Sequence, residues 1–259
     1  MSDQLVSYTE EGAVAIVIIN NPPKNVLTIP LMAQFEQVVA ALEENQSIKV
    51  VVIAGSGPIF VAGADIKVIA SITSSKAGES LARQGQALFS KIEQMQKVVI
   101  AAINGYCLGG GMELAMACHI RIAGDRSRMG QPEINLGIIP GFGGTQRLPR
   151  IVGQAKAIEL ILTGDMINAE EAKTIGLVNK IVPEGEALKQ ALGLAKKIAA
   201  KSKCAIQATL KAIEEGMNEP LSIGFGREAQ LFGQICETAD KQEGISAFLE
   251  KRQPLFQDR

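Results

Sequence analysis

Three continuous runs of apolar, largely β-branched residues limit the folds open to this chain more than any other feature. They occupy residues 13–19, 50–54 and 98–103, and turn-forming Gly, Asn or Pro residues follow each of them. Strands that are apolar on both faces are typical of parallel sheets covered by helices on both sides. The runs therefore predict a buried, mainly parallel sheet.

Helical patterns separate the predicted strands. Apolar residues recur every three or four positions from Thr28, a residue suited to capping, and Pro30 fits the first turn of such a helix. A second amphipathic segment covers residues 81–95. The alternation predicts an α/β fold, in which a ligand binds where loops leave the carboxyl ends of the strands.

The pattern changes after Gly153. Helical spacing dominates from there, and residues 177–182 form the one strand-like stretch in that part of the sequence. We therefore divide the chain into a core of residues 1–184, which carries the site, and a C-terminal helical region of residues 185–259.

Charge and composition exclude several classes of function. The 259 residues include 26 Lys and Arg against 27 Asp and Glu, and no Trp, so neither a surface for polyanions nor a platform for stacking bases is indicated. No apolar run reaches the roughly 18 residues of a membrane span, and residues 1–7 do not resemble a secretion signal. We expect a cytoplasmic protein that binds neither nucleic acid nor membrane.

Several common catalytic and cofactor motifs are missing from the sequence. Gly55-x-Gly57 lacks the third glycine of a dinucleotide fingerprint, and no Gly-Lys pair or Gly-x-Ser-x-Gly motif occurs. The single histidine, His119, follows an apolar run and is predicted to be a core or interface residue rather than a catalytic base. The cysteines contain no Cys-x-x-Cys pair, so we predict reduced packing residues and no metal site. They are Cys107, Cys118, Cys204 and Cys236.

Two segments carry residues suited to catalysis. Residues 109–111 are consecutive glycines before a predicted helix, which leaves N–H groups bare as in an oxyanion hole; a tight turn between helix and sheet is the alternative. Glu113 lies in the first turn of that helix among apolar neighbours, which should raise its pKa, although a solvated capping glutamate would fit the same position. Glu133 follows the rigid Pro132 and precedes the glycine-rich residues 137–144. Together the two glutamates suggest a paired-carboxylate site.

Four motifs follow one another along the chain. They are Ala62-Gly63-Ala64-Asp65-Ile66-Lys67, Asn104-Gly105-Tyr106-Cys107-Leu108-Gly109-Gly110-Gly111-Met112-Glu113, Gly130-Gln131-Pro132-Glu133 and Gly141-Phe142-Gly143-Gly144-Thr145-Gln146-Arg147-Leu148. In this order and spacing they closely resemble the crotonase superfamily, and within it the enoyl-CoA hydratases. The resemblance implies an α/β spiral of stacked ββα turns, with a C-terminal helical region that assembles trimers or dimers of trimers. It also implies an acyl-CoA substrate and no cofactor apart from the CoA within that substrate.

The resemblance further implies a role for each site residue. The N–H groups of Ala64 and Gly110 would hold the thioester oxygen. Glu113 and Glu133 would grip one water, Glu113 helping to deprotonate it for attack on C3 and Glu133 supplying a proton to C2. Contacts with CoA are implied for Lys24, Ala62, Ala64, Asp65 and Ile66 in the core and for Phe248 and Lys251 in the last helix.

The predicted activity is the reversible addition of water to a 2-trans-enoyl-CoA, in fatty-acid β-oxidation or a related pathway. Alternative interpretations are an enoyl-CoA isomerase or a methylglutaconyl-CoA hydratase of the same superfamily and, more remotely, a non-enzymatic RNA-binding protein. The presence of both Glu113 and Glu133 favours water addition, and the near-neutral charge argues against RNA. Residues 69–88 and the surroundings of Phe142 are expected to wall the acyl pocket.

Overall fold

The computed structural model describes residues 4–259, in which strands and helices alternate before a run of helices ends the chain. The strands are β1 (Val6–Glu11), β2 (Val14–Ile19), β3 (Val50–Gly55), β4 (Val98–Ile103), β5 (Tyr106–Leu108), β6 (Ile120–Gly124), β7 (Arg128–Gly130), β8 (Ile167–Asn168) and β9 (Lys180–Val182). The helices are α1 (Ile29–Glu44), α2 (Ile66–Ala70), α3 (Ser75–Glu93), α4 (Gly110–Ala117), α5 (Gly144–Val152), α6 (Gln154–Thr163), α7 (Ala169–Thr174), α8 (Ala187–Ala199), α9 (Lys203–Met217), α10 (Leu221–Cys236) and α11 (Ala239–Leu249). A short 3-10 helix covers Pro132–Leu136.

The main sheet is largely parallel, as the apolar runs predict. Within residues 4–259 its strand order is β1-β2-β3-β4-β6-β9, and β1 alone runs antiparallel to its neighbour. Alternate residues of β3 face opposite sides of the sheet: Val51 and Ile53 join the core under α1 and α3, whereas Val50 and Val52 join the core under α8. Burial on both faces explains why the run is continuously apolar.

A second, smaller sheet lies beside the first and has the strand order β5-β7-β8. β4 leads directly into β5, and β6 into β7, so successive turns of the chain contribute one strand to each sheet. The loop after β3 joins this layer through a parallel bridge between Val61 and Cys107. The spiral therefore brings the loops after β3 and β4 together, and the candidate site lies between them.

Six strands differ from the sequence-based prediction: β1, β5, β6, β7 and β8 are not predicted, and β9 is shorter than predicted. β1 is missed by the periodicity analysis because half of it is solvent-exposed at the sheet edge and it carries no continuous apolar run. The strand predicted at residues 177–182 is shorter, because the N–H groups of Leu177 and Val178 both bond to the carbonyl of Ala172 at the end of α7. Both side chains are buried in this turn, so their apolar character reflects the core and not a strand.

Candidate active site

Glu113 is held inside the protein by two backbone donors. It lies in the first turn of α4 and is 1% exposed. Its Oε1 accepts hydrogen bonds from the N–H groups of Phe142 and Gly144, each at 2.7 Å. A carboxylate buried with two such donors keeps a fixed orientation. Both of these hydrogen bonds within residues 4–259 use Oε1, so Oε2 can accept from a ligand atom.

The surroundings of Glu113 raise its pKa. Burial is the main cause and brings the value to about 7, with a further rise from the charge of Glu133; the hydrogen bonds from Gly144 and Phe142 and the charge of Arg147 act in the opposite direction. The rise predicted from its apolar neighbours is therefore confirmed. A carboxyl group with a pKa near neutral can both accept and release a proton at physiological pH.

Glu133 lies in the first turn of the 3-10 helix, and burial raises its pKa as well. Its neighbour Gln131 is fully buried; with the amide nitrogen facing the carboxylate, that nitrogen lies 3.3 Å and 3.2 Å from Oε1 and Oε2 of Glu133. Gly109, which precedes α4 with φ of 50°, leaves room for this carboxylate, because a Cβ there would lie 2.8 Å from Oε1 of Glu133. A Cβ on Gly144 would lie 2.9 Å from the side-chain amide of Gln131 and 3.1 Å from Oε1 of Glu113, so both predicted glutamates lie beside the same buried amide.

The backbone nitrogens of Ala64 and Gly110 are also close neighbours. A Cβ built on Gly110 would lie 3.6 Å from the nitrogen of Ala64. Gly110 is the first residue of α4, so its N–H has no acceptor within the helix. The bridge between Leu27 and Ala64 uses the N–H groups of Leu27 and Asp65, which leaves the N–H of Ala64 directed away from Leu27. The two backbone nitrogens therefore border the same space.

A cavity of about 270 Å³ opens beside these amides. Apolar side chains from α1, α2 and α3 form most of its wall, and Ala64 and Phe142 lie at the side nearest Gly110. Of the stretch expected to wall an acyl pocket, Ile69, Leu81, Gln84, Gly85, Ala87 and Leu88 line this cavity. A cavity of this character suits a flexible apolar chain whose polar end reaches Ala64 and Gly110.

The residues expected to contact CoA fall into two groups. Lys24 and Ala62 are brought together, since the carbonyl of Lys24 accepts a hydrogen bond from the Ala62 nitrogen at 3.1 Å. Asp65 caps α2 by accepting from the nitrogen of Lys67 at 2.9 Å, and Ile66, the first residue of α2, is 54% exposed. Phe248 and Lys251 lie at the end of α11, and Phe248 is 82% exposed. Neither is among the residues that line the 270 Å³ cavity in the described part of this single chain.

His119 and the cysteines lie outside this cluster. His119 connects α4 to β6, its Nδ1 accepts the N–H of Val99 at 2.9 Å, and burial lowers its pKa. It lines a larger cavity, about 690 Å³, between α3, α5 and α9, which Ala64 and Gly110 do not border. All four cysteines are free; Cys107 and Cys118 are buried, and burial raises the pKa of Cys118 to about 12. Cys107 and Cys118 pack the core, whereas Cys204 and Cys236 are half-buried. We place the site at the smaller cavity because Ala64 lines it.

Sequence reasoning missed four residues that complete the site. Gln131, Phe142, Gly144 and Arg147 all occur in the quoted motifs, but no role is predicted for them. Phe142 and Gly144 act through backbone N–H groups, which every non-proline residue has. The concentration of glycines in residues 137–144 is the one signal that could have suggested close approach of the backbone to another group.

We expect the Glu113→Gln variant to be more stable than the wild type at alkaline pH. The pKa of about 7 lies above the ordinary 4.5, so between these values the folded state holds a proton that the unfolded chain has lost. The free energy of unfolding therefore falls as the pH rises through this window, and a neutral glutamine removes the fall. Thermal melts should show a gain of several degrees above pH ~7 and little difference below pH ~4.5. Glu44→Gln, at an exposed position of α1, is the control; an equal gain at both pH values would contradict the assignment.

No helix within residues 4–259 combines the length and the apolar character that crossing a membrane requires. In the same range, no group of three or more His, Cys, Asp or Glu side chains is arranged to hold a metal ion.

Similarity to known proteins extends over nearly the whole chain. The family model described as enoyl-CoA hydratase/isomerase matches residues 9–259. A probable enoyl-CoA hydratase of Bacillus subtilis is 43% identical over 97% of this chain and 98% of its own length, and the crotonyl-CoA hydratase of Syntrophomonas wolfei is 42% identical over 99% of each. The crystal structure of an enoyl-CoA hydratase from Bacillus anthracis superposes with a TM-score of 0.95 at 36% identity, covering 99% of this chain and 100% of that one. The predicted fold class is thereby confirmed.

Proposed function

This chain belongs to the enoyl-CoA hydratase/isomerase family, and we propose that it catalyses the reversible syn addition of water to 2-trans-enoyl-CoA thioesters. The product is a 3-hydroxyacyl-CoA, and the enzyme is a hydro-lyase. One observation carries the proposal within the family: two carboxyl groups with raised pKa values, Glu113 and Glu133, lie close enough to interact. Addition of water needs one group to accept a proton and one to donate a proton, which such a pair supplies.

The two glutamates divide the proton transfers between them. In the hydration direction, ionised Glu113 takes a proton from a water held between the carboxyl groups as the water oxygen bonds to C3. The electron pair of the double bond moves toward the thioester, and protonated Glu133 delivers a proton to C2. The net result places OH on C3 and H on C2, and proton exchange between the carboxyl groups and solvent restores the starting state. Dehydration follows the same steps in reverse.

The negative charge that develops on the thioester oxygen is matched by the N–H groups of Ala64 and Gly110. Their proximity, and the position of Gly110 at the positive end of α4, support this role. Ala64 is fixed by its bridge with Leu27, and Gly110 is fixed as the first residue of α4. Little reorganisation of their N–H groups therefore accompanies the developing charge. This chemistry uses no group beyond the side chains, the amides and the CoA thioester itself.

The acyl chain would occupy the 270 Å³ cavity. Gly85 lets the ring of Phe142 pack directly against α3 at the cavity wall, because a Cβ at this position would collide with that ring. The ring of Phe142 in turn rests edge-on against Phe89, with 5.7 Å between ring centroids. The cavity extends as far as Glu36, which forms an ion pair with Lys91 at 2.7 Å. A short or medium straight chain fits this slot between α1 and α3.

The CoA moiety would lie outside the cavity, along the segment from Ala62 to Ile66. The backbone hydrogen bond between Ala62 and Lys24 supports a common surface for the adenine and the phosphates. Phe248 and Lys251 are exposed and do not line the cavity in the described part of this chain, which is compatible with a contact to CoA bound in a neighbouring subunit. A cytoplasmic location agrees with the four free thiols.

We also propose self-association as a trimer or a dimer of trimers. Large apolar side chains on α9, α10 and α11 remain 70% or more exposed in the single chain: Met217, Leu221, Phe232, Phe248 and Leu249. Exposed apolar surface of this kind is typical of subunit interfaces. Sedimentation velocity would test the proposal, and a purely monomeric protein at micromolar concentration would contradict it.

The activity is tested with purified protein and crotonyl-CoA. Loss of the conjugated enoyl absorbance, with 3-hydroxybutyryl-CoA as the product, is the expected result. Addition of 3-hydroxybutyryl-CoA should produce the same equilibrium mixture from the other side. Conversion of a 3-enoyl-CoA to its 2-isomer without hydration would instead identify an isomerase, and absence of both reactions with straight and branched substrates would reject the proposal.

A further inference from the structure

Arg147 is a buried arginine that lies behind the loop holding Glu113. It belongs to α5, is 8% exposed and forms an ion pair with Glu93 of α3 through Nε at 3.0 Å and Nη2 at 2.7 Å. Its Nη1 donates to the carbonyl of Phe142 at 3.0 Å, and Nη2 also reaches Oγ of Ser90 at 3.3 Å. The guanidinium therefore ties the loop at residues 141–144 to α3.

The same loop provides both hydrogen-bond donors of Glu113. The backbone of Phe142 makes a hydrogen bond on each side: its N–H donates to Glu113, and its carbonyl accepts from Arg147. The guanidinium also lies tightly under the loop, since a Cβ on Gly143 would be 2.3 Å from Nη1 of Arg147. Gln86 of α3 also donates to the carbonyl of Gly141 at 2.9 Å, so displacement of the guanidinium would leave Gly141 tied to α3. The Phe142 carbonyl, which lies between the two donors of Glu113, would lose its bond to Arg147.

We propose that Arg147 is a positioning residue for Glu113, fixing the Phe142–Gly144 amides on the carboxylate and supplying a positive charge that favours its ionised form. The inference rests on the proposed function, because it concerns the carboxylate that would accept the proton of water. Arginine suits this task better than lysine, since its planar fork can bond Glu93 and the Phe142 carbonyl at the same time.

Other charged groups surround this arrangement. Glu133, from the 3-10 helix, raises the pKa of Glu113, and Arg147 lowers it. Glu93 forms an ion pair with Arg147 and also lies near His119. Burial raises the pKa of Glu214 in α9, and the charges of Glu93 and Glu215 raise it further. Within residues 4–259, Arg147 is the cation whose charge lowers the pKa of Glu113, so its removal should raise that pKa.

Substitution of Arg147 by Gln is expected to shift the acidic limb of the kcat/KM profile for crotonyl-CoA to higher pH. Hydration requires ionised Glu113, and loss of the positive charge raises the pKa of this group. Relative to the wild type, Arg147→Gln should lose about tenfold more kcat/KM at a pH below the acidic limb than at a pH above it. Arg147→Lys keeps the positive charge but loses the planar guanidinium that bonds two acceptors at once. Its acidic limb should therefore match that of the wild type, while kcat falls about tenfold and KM stays unchanged.

Arg150→Gln is the matched control, since Arg150 lies one turn further along α5, is exposed and bonds only to Gln146 in the described structure. It should leave rate and profile unchanged. An equal loss at every pH in Arg147→Gln, or wild-type kcat in Arg147→Lys, would reduce Arg147 to a packing residue and overturn the proposal. If Arg147→Gln fails to fold, the kcat and KM of Arg147→Lys decide alone.

A direct titration separates this inference from the proposed function. Protein with ¹³C-labelled glutamate carboxyl groups is titrated by NMR without substrate, and the signal absent from Glu113→Gln identifies Glu113. This signal should titrate at higher pH in Arg147→Gln than in the wild type and in Arg150→Gln. An unchanged titration would refute the role of the charge even in an active enzyme. A shifted titration in a protein that does not hydrate any enoyl-CoA would leave the positioning role and reject the function.

Discussion

Glu113→Gln and Glu133→Gln are each expected to lower kcat for crotonyl-CoA hydration by about 100- to 10,000-fold, the usual contribution of a general acid or base. At position 113 the glutamine oxygen can still accept the N–H groups of Phe142 and Gly144, so the loop and the helix should stay in place. The amide cannot take a proton from water. At position 133 the glutamine likewise occupies the carboxylate site but has no acidic proton for C2.

Binding and additivity distinguish chemistry from structural damage in these variants. Affinity for butyryl-CoA, a saturated thioester that cannot react, should change less than about threefold, because neither carboxylate is expected to bind the thioester oxygen. The kcat of the double variant should lie no more than about tenfold below that of the less active single variant, because both residues act in one step. Glu44→Gln serves as the control for the loss of one surface carboxylate. Near wild-type turnover in either single variant would remove that residue from the mechanism.

Gly110→Pro is expected to lower kcat/KM by about 100- to 1,000-fold, which is the effect of removing one donor from an oxyanion hole. Gly110 is the first residue of α4, a position where proline is well tolerated because its missing N–H is not needed by the helix. The substitution therefore removes the proposed donor while the helix itself can form.

Gly110→Ala is the matched control for this variant. Both substitutions add a Cβ, which would lie 3.0 Å from Cδ1 of Leu27, the end of a flexible side chain that can shift slightly. Alanine keeps the N–H, so its kcat/KM should stay within about tenfold of the wild type. Thermal melts and butyryl-CoA binding should be measured for both variants. Equal losses in Ala and Pro would attribute the effect to the added carbon and exclude the N–H of Gly110 as a donor.

Phe142 connects acyl binding with the acid–base pair. Its ring forms part of the cavity wall and packs against Gly85, its N–H donates to Glu113, and its carbonyl accepts a hydrogen bond from Arg147. An acyl chain that displaced the ring would also disturb the amide that orients Glu113. Selection for chain shape and alignment of the base thus depend on one residue, which explains why the loop is tied firmly to α3.

The sequence by itself determined the features that depend on neighbouring residues. The continuous apolar runs predicted β2, β3 and β4 because burial on both faces leaves no polar position in a strand. Thr28 caps α1 as predicted, its side chain accepting the N–H of Leu31 at 3.3 Å. The position of Glu113 in the first turn of a helix and the rise of its pKa also followed from adjacent apolar residues. The pairing with Glu133 was inferred from motifs, and the tertiary structure supplied the proximity.

Only the tertiary structure decided which groups hold the site together. The donors to Glu113 are 29 and 31 positions away along the chain, and Arg147 is 54 positions from Glu93. Backbone N–H groups carry no residue-specific signal, so no pattern could single out those of Phe142 and Gly144. Their approach depends on the spiral that stacks the loops after β3 and β4, and this long-range geometry is fixed by strand order and packing rather than by local propensity.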